Sequence, residues 1–123
     1  GIQRLLYIED NLENMQRLCD WVSQMEGIEL SIAPTAALGV EKAKTWLPDC
    51  IVFDWELAVG SDVEALRALC EDPALCEKGC KLIALVEPSD QDEMPVVTQG
   101  VHAHLSKPVA MDQLSALLCA LDN

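Results

Sequence analysis

Short apolar segments alternate with longer segments of helical periodicity along the whole chain, and this alternation most constrains the fold. The strand-like segments are 5–8, 28–32, 51–53, 82–86 and 101–105. The segments with helical spacing are 12–25, 36–47, 61–70, 89–99 and 111–121. Five strands alternating with five helices predict right-handed crossovers and a parallel sheet that helices cover on both faces. Residues 28–32 alternate apolar with polar side chains, so this strand is expected at a sheet edge.

Composition narrows the class of protein. At 123 residues, half of them hydrophobic and about a quarter charged, the chain is expected to be one globular domain spanning 1–123. Its apolar runs are too short for a membrane span, and residues 1–8 lack the pattern of a secretory signal, so a cytoplasmic location is expected. The net charge of −13 argues against direct nucleic-acid binding and is compatible with cations or a basic partner.

Six cysteines are many for this length, but their spacing matches no standard zinc pattern. Cys19, Cys50, Cys70 and Cys119 occupy apolar periodic positions, where a thiol behaves as a small hydrophobic group. These positions therefore favour buried or simply reduced thiols, with a disulfide or redox role as the alternative.

Acidic residues follow the predicted strands at one end of the sheet. Glu9 and Asp10 follow the first strand, Asp54 ends the third, and Lys107 follows the fifth. Ligands of open parallel sheets bind at the carboxyl ends of the strands, so these side chains are expected to share one crevice. Three adjacent carboxylates need a counter-charge, which Mg²⁺ provides, and Lys107 is suited to meet a phosphoryl group. Asp10 alone is equally explained as a helix cap.

Four segments taken in order resemble the receiver domain of two-component response regulators. They are LLYIEDN, IVFDWEL, LIAL and GVHAHLSKPV, and the resemblance covers the whole chain. It implies a flavodoxin-like, doubly wound α/β fold with a five-stranded parallel sheet in the order 2-1-3-4-5. It also implies that Asp54 accepts a phosphoryl group from a histidine kinase or a histidine phosphotransfer protein.

The same resemblance assigns roles to the other residues of the crevice. Glu9, Asp10 and Asp54 would hold Mg²⁺ together with the backbone carbonyl of Glu56, and Lys107 would contact the phosphoryl group. The peptide bond before Pro108 is expected to be cis. An output domain or a homodimer would be a further partner, and a role at a membrane is not expected.

The sequence departs from the receiver pattern at the positions that relay phosphorylation. Val86 stands where a Thr or Ser hydroxyl usually binds the phosphoryl oxygen, and Glu87 follows where a small residue is usual. His104 replaces the usual aromatic switch residue, and the position favours an exposed or half-buried histidine at the sheet edge over a residue that responds to pH or to a partner. Pro95 falls inside the fourth helical segment, so that helix begins late or is replaced by a loop.

Three functions remain compatible with these residues. The first is a phosphoacceptor receiver with weak or unconventional switching, and the second is a receiver fold that binds partners without phosphorylation. The third, a phosphatase with an aspartate nucleophile, finds a second acid in Glu56 but no segment long enough for a substrate-binding cap. Substrate turnover beyond self-phosphorylation and autodephosphorylation is not expected.

Overall fold

A computed structural model of the chain describes residues 2–58, 63–89 and 101–121. Five parallel strands form one sheet in the order β2-β1-β3-β4-β5. Their bounds are β1 Arg4–Ile8, β2 Glu29–Ala33, β3 Cys50–Asp54, β4 Lys81–Val86 and β5 Ala103–Ser106. The sequence-based prediction of the fold class and strand order is therefore confirmed, including the edge position of β2.

Within the described ranges the chain forms five α-helices, and a 3-10 turn follows β3. The helices are α1 Leu12–Ser23, α2 Ala36–Trp46, α3 Val63–Glu71, α4 Pro73–Lys78 and α5 Met111–Leu121, and the turn is Trp55–Ala58. The Asn11 side chain caps α1 by accepting from the Asn14 N–H, and the Thr35 hydroxyl caps α2 in the same way. None of these helices is long enough to cross a bilayer.

One of these helices is not among the five that periodicity predicts. The six residues of α4 follow α3 directly, with Asp72 as the N-cap and Gly79 in a left-handed conformation at the other end. The predicted helix 89–99 and the capping box that begins at Ser61 lie largely outside the described residues. The segment after β4 is therefore described only through Ser89, and the prediction about Pro95 remains open.

The sheet separates two apolar clusters because successive side chains of each strand point to opposite faces. Leu6 and Ile8 of β1 pack with α2, α3 and α4, whereas Leu5 and Tyr7 pack with α1 and α5. Gly39 lets α2 approach the sheet closely, since a Cβ there would lie 2.4 Å from Ile8 Cδ1. Because helices cover both faces of the sheet, a ligand is expected to bind at the carboxyl ends of the strands.

Burial of the cysteines differs from the expectation. Cys50 is buried and Cys70 is half-buried, but Cys19 and Cys119 are exposed on the solvent sides of their helices. Cys80, which periodicity did not single out, is buried instead. No disulfide joins any of the six residues.

Candidate functional site

Asp54 is the last residue of β3 and lies among buried apolar side chains. Only 7% of its surface is exposed, which would disfavour a charge without partners. The backbone N–H of Glu56 donates to Asp54 Oδ1 at 3.0 Å, and the Lys107 ammonium contacts Oδ2. A backbone donor on one oxygen and a cation on the other therefore hold the carboxylate at the carboxyl end of β3.

Lys107 is positioned by the strand that precedes it. Its backbone N–H donates to the Val86 carbonyl at 2.8 Å, which extends the β4–β5 pairing by one residue. Partial burial lowers the pKa of Lys107, but the hydrogen bond and the charge of Asp54 outweigh this and raise the pKa overall. The ammonium therefore remains charged beside Asp54 across the physiological pH range, and the peptide bond from Lys107 to Pro108 is cis, as expected.

Glu9 is almost completely buried at the end of β1, with 1% of its surface exposed. Its Oε1 accepts from the backbone N–H groups of Asp10 and Asn11, each at 3.1 Å. Its Oε2 accepts from the Tyr7 hydroxyl at 3.1 Å and from the Asn14 side-chain amide at 3.4 Å. Four donors therefore converge on one buried carboxylate.

Burial raises the pKa of the Glu9 carboxyl, and the nearby charge of Asp54 raises it further against the opposing effect of the hydrogen bonds. Burial and the charge of Glu9 likewise raise the pKa of Tyr7, so that the phenol stays protonated and donates. The two buried carboxylates, Glu9 and Asp54, thus lie close enough to interact electrostatically. A cation near both would relieve that repulsion.

Asp10 is exposed, and its side chain extends from the loop between β1 and α1. Glu56 is also exposed, in the 3-10 turn directly after Asp54. In the part of the chain that the structure describes, no three acidic, cysteine or histidine side chains are already arranged around one metal position. The assignment of Glu9, Asp10, Asp54 and the Glu56 carbonyl to Mg²⁺ therefore remains a prediction.

The oxygen donors at this edge nevertheless have the right chemistry for Mg²⁺. This ion usually takes one or two carboxylates, with waters and phosphate oxygens completing its octahedron. Asp54 and Asp10 offer such carboxylates. Both oxygens of Glu9 already accept hydrogen bonds, so Glu9 would act on the ion through its negative charge or through a water ligand. The donor types at this site therefore suit Mg²⁺, although the described side chains are not already arranged around one metal position.

Val86 ends β4 beside the site, and it is fully buried. Its side chain packs in the same apolar cluster as Phe53 and Trp55. The position lies next to Lys107, but a valine has no hydroxyl to donate to a phosphoryl oxygen. The residue after it, Glu87, is exposed, and its Oε1 lies 4.0 Å from Lys107 Nζ.

The two histidines differ in their contacts. His104 is exposed on β5, at the edge of the sheet, and its role as a switch remains a prediction. His102 exchanges two hydrogen bonds with Leu82: its N–H donates to the Leu82 carbonyl, and its Nδ1 accepts from the Leu82 N–H at 3.0 Å. The histidine side chain thus serves as an acceptor for β4 just before β5 begins.

Sequence reasoning missed the support around Glu9. Tyr7 and Asn14 bond to its carboxylate but were not among the predicted site residues. A signal for Tyr7 was present, because a phenol in an otherwise aliphatic buried strand needs a polar partner. The other strand side chain on the same face, Leu5, has no such requirement.

Structural comparison identifies the fold. The receiver domain of sensor histidine kinase PA1611 from Pseudomonas aeruginosa PAO1, which has magnesium coordinated in its active-site cleft, superposes with a TM-score of 0.82, 21% identity and full coverage of both chains. The chemotaxis response regulator CheY4 of Vibrio cholerae gives 0.77 and 19% identity, with 98% of this chain and 99% of that chain covered. This chain has the receiver-domain fold.

A third receiver domain, from a response regulator of Bermanella marisrubri, superposes with a TM-score of 0.81 at 18% identity over the full length of both chains. No protein-family model and no curated protein matches the sequence. At these identities the likeness extends to the receiver fold, and the chemistry of the site has to be argued from its own residues.

Proposed function

We propose that this chain is a single receiver domain of a cytoplasmic two-component or phosphorelay system and that Asp54 is its phosphoacceptor. The observation that carries the proposal is the buried Asp54 carboxylate at the end of β3, in contact with the Lys107 ammonium. The receiver fold supports it, because the same edge of the sheet is where ligands of such folds bind. The phosphodonor would be a phosphohistidine on a sensor kinase or a histidine phosphotransfer protein.

In the reaction, an Asp54 carboxylate oxygen attacks phosphorus as the bond from phosphorus to the histidine nitrogen breaks. The histidine leaves as a neutral imidazole after taking up a proton, and an aspartyl phosphate remains. Lys107 already contacts one Asp54 oxygen, so its ammonium is placed to bind a phosphoryl oxygen. The Glu56 N–H keeps the other Asp54 oxygen oriented.

Asp10, Asp54 and the Glu56 carbonyl would hold Mg²⁺. The buried Glu9 would add a negative charge close to the ion. When bound, the ion supplies positive charge against the oxygens of the transferring phosphoryl group. This agrees with the electrostatic repulsion between Glu9 and Asp54, which an added cation would reduce. The domain is then expected to turn over no other substrate.

Switching is expected to be weak because Val86 offers no hydroxyl. A charge-assisted hydrogen bond is worth about 1.5–3 kcal/mol, and moving a two-state switch from mostly off to mostly on takes about 5.5 kcal/mol. The missing bond is therefore a large share of what such a switch needs. An output domain or a second copy of the chain is the expected recipient of whatever signal remains.

The test is to add Mg²⁺ with acetyl phosphate or beryllofluoride and to follow backbone amide shifts around Asp54. Fluorescence of Trp55 provides a second measurement in a variant whose other two tryptophans are Trp21→Phe and Trp46→Phe. We expect a Mg²⁺-dependent change in the wild-type protein and none in Asp54→Asn. A folded wild-type protein that does not respond at millimolar Mg²⁺ would overturn the proposal.

A second function, partner binding without phosphorylation, is favoured by the buried valine at position 86 and by the exposed His104. Affinity capture with wild type and Asp54→Asn separates the two. A partner that binds both forms equally supports the phosphorylation-independent module. A partner that is lost only with Asp54→Asn supports the phosphoacceptor.

A further inference from the structure

We propose that Glu87 is a positioning residue that lowers the phosphoryl occupancy of Asp54 by competing for Lys107. The inference rests on the proposed phosphoacceptor function and adds a regulator to the same site. It concerns a residue that lies beside the crevice and outside the predicted set of metal and phosphoryl ligands.

The first step is the position of the Lys107 ammonium between two carboxylates. It contacts Asp54 Oδ2, and it lies 4.0 Å from Glu87 Oε1. The Lys107 side chain is 18% exposed and that of Glu87 is 47% exposed, so the pair spans the mouth of the crevice. Glu87 is therefore the more exposed of the two carboxylates near the lysine, since the Asp54 side chain is only 9% exposed.

The second step is that the backbone fixes this proximity. Val86 pairs with Ser106, and the Lys107 N–H donates to the Val86 carbonyl at 2.8 Å. Glu87 follows Val86 directly, so its backbone begins beside Lys107 whatever rotamer its side chain adopts. The backbone pairing of β4 and β5 therefore keeps Glu87 close to Lys107.

The third step is the effect on an incoming phosphoryl group. Lys107 is a compact charge, and the nearby Glu87 carboxylate competes with an incoming phosphoryl oxygen for it. The Glu87 carboxylate also repels the negative phosphoryl oxygens at a range of several ångströms. Val86 supplies no hydroxyl to compensate, so the end of β4 offers an apolar group and an anion where a phosphoryl group needs donors.

The test compares Glu87→Gln with wild type by titrating beryllofluoride at fixed millimolar Mg²⁺. We expect the apparent affinity to rise about two- to fivefold, the range that a partly exposed charge pair allows. Raising the ionic strength to about 1 M should remove most of this difference, because screening then acts over roughly 3 Å. A merely structural effect of the substitution would not depend on salt in this way.

The matched control is Glu77→Gln, which makes the same charge change at an exposed position on α4, near the amino end of β4. A wild-type response that Glu87→Gln and Glu77→Gln leave unchanged would overturn the inference and leave the proposed function intact. A salt-dependent gain in affinity in Glu87→Gln that is absent from Glu77→Gln, in a wild-type protein that responds, would support the inference. No response in any of the three proteins would overturn the phosphoacceptor proposal together with this one.

Discussion

The strand ends on the two sides of Asp54 are built differently. On the β1 side, four donors converge on Glu9, and the carboxylate is almost wholly buried. On the β4 side, the strand ends in a buried valine, and the next residue is an exposed acid beside Lys107. The β1 side holds an acid in place, whereas neither Val86 nor Glu87 on the β4 side has a side-chain donor for a phosphoryl group.

This difference separates accepting a phosphoryl group from relaying its presence. Under the proposed function, acceptance would depend on Asp54, on Lys107, which contacts it, and on the acids at the end of β1. Relay requires a group whose contacts differ between the two states of the domain, since a ligand shifts an equilibrium only by its differential affinity. The Val86 side chain has no polar atom that could make such a contact.

The largest expected effect comes from breaking the β1 side with Tyr7→Phe. The substitution keeps the buried ring and removes the hydroxyl that donates to Glu9 Oε2. A hydrogen bond to a charged group is worth about 1.5–3 kcal/mol, so the free energy of unfolding should fall by that amount. Urea denaturation at neutral pH measures it.

The control for Tyr7→Phe is the same substitution in a Glu9→Gln background. Because the partner is then neutral, the loss should be smaller, and the difference between the two losses gives the coupling energy of the pair. Equal losses in both backgrounds would show that the contribution of the hydroxyl does not depend on the charge of Glu9.

An intermediate effect is expected from supplying the missing group with Val86→Thr. The new hydrogen bond should outweigh the cost of burying the hydroxyl. The net gain should be about 1 kcal/mol, which is roughly a fivefold increase in beryllofluoride affinity. Beryllofluoride should then also shift amides of β5, including His104. The matched control is Val52→Thr, a fully buried valine on the other face of the sheet. If both variants behave alike, the β4 position has no special role.

The smallest effect concerns how firmly β5 is held to β4. Burial, aided by the charge of Lys81, lowers the pKa of His102 from 6.5, and protonation would remove the acceptor that the Leu82 N–H uses. The unfolded chain then binds the proton more readily than the folded one. This contribution to stability is therefore full above pH 6.5 and is lost as the pH falls toward the lowered folded value.

Thermal unfolding of wild type and His102→Gln from pH 7.5 to 5 isolates this contribution. The difference between the two proteins should narrow as the pH falls. His104→Gln, a change of the other histidine, should run parallel to wild type over the same range. A difference between wild type and His102→Gln that is constant with pH would contradict the prediction.

Much of the fold was predictable because strand and helix periodicities differ strongly in a doubly wound sheet. The continuous apolar runs around Tyr7, Phe53 and Ile83 are interior strands, and the alternating run around Leu30 is an edge. Proximity of Asp54 and Lys107 followed from the rule that parallel strands end at one edge. The contact between them confirms that part of the geometry.

Other features depend on contacts that periodicity does not encode. The short helix α4 buries only Leu75 and so has no apolar stripe, although Asp72 before Pro73 was an available start signal. Cys19 and Cys119 follow apolar residues in their helices yet face solvent, because a one-residue step turns a helical side chain by about 100°. The direction of the Glu9 carboxylate, toward Tyr7 and Asn14, required the packed structure.

The close approach at Gly39 ties a remote helix to the alignment of the site. Ile8, against which that glycine packs, is the residue directly before Glu9. A Cβ at position 39 would overlap the Ile8 side chain, so any substitution there would force that side chain to shift next to the buried acid. The absence of a side chain at Gly39, on a helix away from the crevice, thus preserves the packing of the residue that precedes Glu9.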